Sequence, residues 1–82
     1  MENENFETTD IVLATTLSAV GFQIKGLTAT NDGGRYKFVF PMDDRIQDVI
    51  KQYEEDKLAI EPKRFAYNYN FLKKKVHQKG GF

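Results

Sequence analysis

Asn31-Asp-Gly-Gly-Arg-Tyr-Lys-Phe-Val-Phe-Pro41 decides how this chain folds. Asn and Gly tolerate positive φ at little cost, so Asn31–Gly34 reads as a tight turn. Arg35–Phe40 is rich in aromatic and β-branched residues, with Tyr36, Phe38 and Phe40 on one face of a strand that Pro41 ends. On the other side of the turn, Phe22-Gln-Ile-Lys25 alternates apolar and polar, as a half-buried strand does. Together these segments predict an antiparallel β-hairpin. With the three rings turned to a core, Arg35, Lys37 and Val39 form an exposed cationic face, joined by Lys25.

Helical signals lie on both sides of the hairpin. Upstream, Thr9 or Asp10 can cap a helix whose Leu13, Ala14, Leu17 and Val20 share one face. Gly21 then supplies the left-handed stop, and Phe22 folds back on the last turn. Downstream, Asp43 caps a helix with Ile46, Val49, Ile50 and Tyr53 at i, i+3, i+4 and i+7. Leu58-Ala-Ile60 reads as a short third strand at the sheet edge. Pro62 suits the first turn of a last helix, where its missing N–H costs nothing, with Phe65, Tyr69, Leu72 and Val76 as the inward stripe. Phe65, Tyr67, Tyr69 and Phe71 also alternate at period two. The proline start, the Lys73–Lys75 run near the negative end of the helix dipole and the Gly80-Gly81 stop favour helix. The expected class is α+β: a small antiparallel hairpin sheet with helices on one face, in the order α-β-β-α-(β)-α.

Eighty-two residues make one small domain, 1–82, with 1–7 and 78–82 expected as flexible ends. At 40% hydrophobic and 29% charged the chain is globular rather than disordered. The lack of cysteine excludes a disulfide framework, a thiolate metal site and a cysteine nucleophile. No apolar run approaches the roughly 20 residues that span a bilayer, and the acidic, polar N-terminus does not resemble a secretory signal. A cytoplasmic protein with no membrane partner is expected.

The formal net charge of zero conceals a separation. Residues 1–61 hold all twelve acids and six bases, a net −6, and residues 62–82 hold the other six bases and no acid, a net +6. A cationic segment attracts phosphate or acidic protein surface whatever the total charge.

Several segments together resemble one family. Phe6-x-Thr8-Thr9-Asp10-Ile11-x-Leu13-Ala14 followed by Leu17 and Gly21, the strand core Phe38-Val-Phe40, an acidic helix ending near Tyr53, and Pro62-Lys-Arg-Phe65 are similar to a family of short bacterial, archaeal and phage proteins. That family is catalogued as a domain of unknown function. The resemblance covers nearly the whole chain and departs at Glu61, where family members tend to carry Asn or Asp, better helix caps. It implies a fold and a bacterial or mobile-element setting, and no activity.

The catalytic inventory is thin. His77 sits in the basic tail with no carboxylate nearby in sequence, and Ser18 lies on the first helix, so no nucleophile–base pair is evident. Asp43, Asp44 and Asp48 lack the alternating spacing and the glycine of a calcium loop and are explained by capping. Asn31–Gly34 leads into a strand, whereas phosphate cradles lead into a helix. No enzyme, cofactor or metal site is expected.

Binding remains. Arg35–Phe40 is loosely similar to the basic-aromatic central strand of RNA-recognition domains, but Lys37 stands where a small residue is expected and the β-α-β-β-α-β order is missing. The last helix is the better candidate. Lys63, Tyr67, Asn70 and Lys74 project outward, flanked by Arg64, Phe71, Lys73 and Lys75. Four rings in residues 65–71 exceed what one helix face buries, so Tyr67 or Phe71 needs a partner. Lysines release counterions from phosphates, and exposed rings stack on unpaired bases. These ten residues, with Arg35 and Lys37 included, are the expected nucleic-acid-binding set, with a preference for single strands. The alternative is a protein-interaction module, a homodimer or a phage or host regulatory factor, with the surplus rings at the centre of its interface.

Overall fold

The computed structural model describes residues 5–30 and 35–80. Among these, three strands and three helices follow in the order β1 (Asn5–Thr8), α1 (Ile11–Val20), β2 (Gly26–Ala29), β3 (Tyr36–Pro41), α2 (Asp44–Glu54) and α3 (Pro62–Gly80). β3 lies in the middle of the sheet, antiparallel to β1 on one side and to β2 on the other. Phe38 and Phe40 of β3 meet Leu13, Ala14, Leu17, Ile46, Val49 and Leu72 in one core, with Phe6 and Leu27 packed against it. Since these strand residues share one side of the pleat, the helices cover one face of the sheet. The expected α+β class is what forms.

The element order differs from the expected one. Residues 5–7, expected in a frayed arm, belong to β1, and Phe6 pairs with Phe40 while Thr8 pairs with Phe38. Leu58–Ile60, expected as the third strand, pairs with no strand. β1 takes one edge of β3 and β2 the other, so no place beside the centre is left. The hairpin stands, but its first strand begins at Gly26 rather than Phe22. The Asn31–Gly34 turn lies outside the described residues. With β1 counted, β-α-β-β-α are the first five elements of the split β-α-β motif, and α3 stands where its last strand would be.

Local chemistry explains the helix ends. The Asp10 carboxylate accepts from the N–H groups of Val12 (2.9 Å) and Leu13 (3.3 Å), capping α1. At the other end Phe22 N–H donates to the Leu17 carbonyl (3.0 Å) and Gly21 N–H to that of Ser18 (3.1 Å). This is the Schellman pattern, with Gly21 at φ 125°. Asp43 caps α2 through Arg45 N–H (2.8 Å) and grips the Arg45 guanidinium, which also lies 5.3 Å from the centre of the Phe22 ring. Those hydrogen bonds from Arg45 hold the Asp43 carboxyl below its ordinary range. Glu61 caps α3, although Glu is a poorer cap than Asn or Asp: its Oε1 accepts from Arg64 N–H at 2.8 Å.

α1 packs against α2 and α3, and is buried on more sides than the single stripe predicts. Thr15, Thr16 and Ala19 join Leu13, Ala14 and Leu17 inside, while Val20, expected in the stripe, is 42% exposed. The two threonine hydroxyls donate to the Ile11 and Val12 carbonyls at 2.7 and 2.8 Å, so no buried hydroxyl lacks an acceptor there.

Candidate functional site

α3 follows its predicted register. Leu72 is fully buried, Val76 packs against the core, and Phe65 and Tyr69 are half-buried and stacked, with ring centres 6.2 Å apart. The helix is therefore anchored along one stripe. Lys63, Tyr67, Asn70 and Lys74 are exposed on the opposite side, flanked by exposed Arg64, Phe71 and Lys73 and half-buried Lys75. Eight of the ten expected residues thus share one helix.

The two surplus rings find different surroundings. Tyr67 remains 73% exposed. Phe71 is 43% exposed and borders a hollow of about 440 Å³ lined by Ser18, Gly21, Phe22, Gln23, Ile24, Asn68 and Lys75. The Lys75 ammonium lies 5.1 Å from the centre of the Phe71 ring, and that of Lys73 lies 5.5 Å from the Tyr69 ring. These cation–π contacts lay the lysine stems along aromatic surface and leave the charge at the water interface.

Among the described residues no carboxylate forms an ion pair with Lys63, Arg64, Lys73, Lys74 or Lys75 of α3. The ion pairs among them are Lys37–Glu7 (3.6 Å), Arg45–Asp43 (2.9 Å) and Lys57–Glu55 (3.4 Å). Arg64 instead reaches the Ala19 carbonyl at 3.5 Å, at the negative end of α1.

Arg35 and Lys37 are separated from this group. Phe38 and Phe40 point to the helices, so by alternation Lys37 and Val39 face away from them. Lys37 pairs with Glu7 of β1, and Val39, expected to be exposed, is 8% exposed between Glu7 and Gly26. The first five elements follow the order of RNA-recognition domains, but β3 carries no exposed ring on its outer face.

The wall opposite α3 has no counterpart in the sequence pattern. Ser18 Oγ donates to Asn68 Oδ1 (3.0 Å), and Asn68 Nδ2 donates to the Arg64 carbonyl (2.8 Å), which fixes α3 against the C-terminal turn of α1. Ser18 therefore bonds an amide and not a base. Among the described residues no group of three or more His, Cys, Asp or Glu side chains could hold a metal ion, and no helix is long and apolar enough to cross a membrane.

A family described as a domain of unknown function (DUF5659) matches residues 3–78. No curated protein and no solved structure matches the chain.

Proposed function

The chain belongs to the DUF5659 family, and we propose that it is a non-enzymatic protein that binds nucleic acid through the outer face of α3. One observation carries this reading: a ring 73% exposed, Tyr67, stands among basic side chains that no described carboxylate neutralises. Lysines at that density contact phosphates and gain affinity by releasing counterions. Tyr67 and Phe71 are one turn apart, about 6 Å along the helix axis. That exceeds the roughly 3.4 Å between stacked bases of a duplex strand, so bases on both rings must be unstacked. Single strands are the favoured ligand. The setting proposed with it is the cytoplasm of a bacterial, archaeal or phage-infected cell.

The test is a titration of labelled single- and double-stranded oligonucleotides at two salt concentrations. Single strands bind more tightly, and replacing Lys73, Lys74 and Lys75 together by Gln lowers affinity and flattens the salt slope by about 0.7 for each phosphate no longer neutralised. Affinity indifferent to salt between about 50 and 200 mM overturns the reading. A second reading has its own observation, since Val20, Tyr67 and Phe71 are all large, apolar and exposed. Self-association that Tyr67→Ala abolishes, in a chain that binds no oligonucleotide, would assign the face to a protein partner.

A further inference from the structure

The hollow beside Phe71 has a composition that a plain helix surface would not need. Its lining combines an aromatic ring, Phe71, with the partly buried Phe22 and Ile24, and its polar members are Ser18, Gln23, Asn68 and Lys75. Ser18 and Asn68 are engaged with each other and with the Arg64 carbonyl. Lys75 rests on the Phe71 ring. Gln23 is exposed, and its amide has no hydrogen-bond partner among the described residues. A side chain at Gly21 would meet nothing within 4 Å, so the glycine leaves the entrance on that side open.

The geometry points to this hollow as the seat of one unpaired nucleobase, stacked on Phe71 with its edge read by the Gln23 amide. The inference rests on the nucleic-acid reading above and adds a site for base selection to it. A carboxamide offers a donor and an acceptor side by side, the pattern that pairs bidentately with a base edge, adenine above all. A base entering the hollow displaces the Lys75 ammonium from the ring, exchanging a cation–π contact for a stack. The ammonium is then free for the adjoining phosphate, next to Lys74. Tyr67, one turn away, takes the neighbouring base without reading it, because a ring face stacks on any base.

Full-length protein titrated with labelled oligo(dA), oligo(dC) and oligo(dT) at one salt concentration separates the base seat from the wider surface. The wild type ranks the three, with oligo(dA) expected first. Gln23→Ala lowers affinity for the preferred oligomer by about 5- to 150-fold, the range of one bidentate base contact, and brings the three close together. Its salt slope stays that of the wild type. Gln23 is exposed, so the variant keeps its fold, which circular dichroism checks. Equal wild-type affinity for all three, or a ranking unchanged by Gln23→Ala, overturns the base seat. If Tyr67→Ala and the triple lysine variant still weaken binding in that case, the surface reading survives alone. A wild type that binds none of the oligomers overturns both.

Discussion

α1 and α3 pack against each other and obey opposite rules. α1 carries no charged residue, and six of its ten side chains are buried, two of them threonines whose hydroxyls bond back into the helix. α3 carries six bases and no acid, and among its described side chains Leu72 alone is fully buried. The difference follows from neighbours: α1 has a helix on either side and the sheet beneath it, whereas α3 has a neighbour on one side. Packing therefore accounts for most of α1, where only Val12 and Val20 are exposed, and for a single stripe of α3. What packing leaves unexplained on α3 is a row of rings and bases, and the proposed binding face is drawn from that remainder.

The largest expected effect tests this contrast directly. Leu17→Ala removes a fully buried side chain of α1 and should cost about 2–5 kcal/mol in a denaturant melt. Tyr67→Ala, on the outer face of α3, should stay within about 0.5 kcal/mol while weakening oligonucleotide binding by about 1–3 kcal/mol. A Tyr67→Ala variant that loses as much stability as Leu17→Ala would erase the distinction, because the ring would then belong to the fold.

Gly21→Ala comes next and sharpens the boundary between the two helices. At φ 125° a Cβ is strained although no neighbour blocks it, so the cost is conformational, about 1–2 kcal/mol. The same substitution narrows the open side of the hollow beside Phe71. A melt unchanged by it would mean that the Schellman turn does not set where α1 stops.

Much of this fold is legible in residue patterns, and the failures have physical causes. Asp10, Gly21 and Asp43 announce the helix ends because capping is local chemistry, readable over three or four residues. β1 is hidden because only Phe6 and Thr8 face inward, too short an alternation to separate from an acidic arm. β2 starts later than the alternation suggests because Phe22 is drawn back onto α1 and held under Arg45, so residues 22–25 serve to reach the sheet. The outward stripe of α3 follows from helical spacing alone. The facing wall of Ser18 and Gln23 does not, because it depends on how α3 docks on α1, and a hydrogen bond between Ser18 and Asn68, fifty residues apart, leaves no local trace.

The smallest effect concerns the joint on the other side of α1. Tyr53 O–H of α2 donates to Asp10 Oδ2 at 3.3 Å, so one carboxylate caps α1 with one oxygen and holds α2 with the other. Burial, and then the charge and hydrogen bond of Asp10, push the Tyr53 hydroxyl above the ordinary tyrosine value of 10.0. A proton held more tightly in the folded chain stabilises it fully below the unfolded value, and that stabilisation is lost as pH rises above about 10. Tyr53→Phe should therefore cost about 0.5–1 kcal/mol at neutral pH, since a single long hydrogen bond is removed. It should also reduce the loss of stability between neutral and strongly alkaline solution, measured by denaturant melts at several pH values. An alkaline slope identical in Tyr53→Phe and wild type would show that the Asp10 contact does not tie α2 to α1. The pairing of α1 with α3 would then have to hold the helix layer together without it.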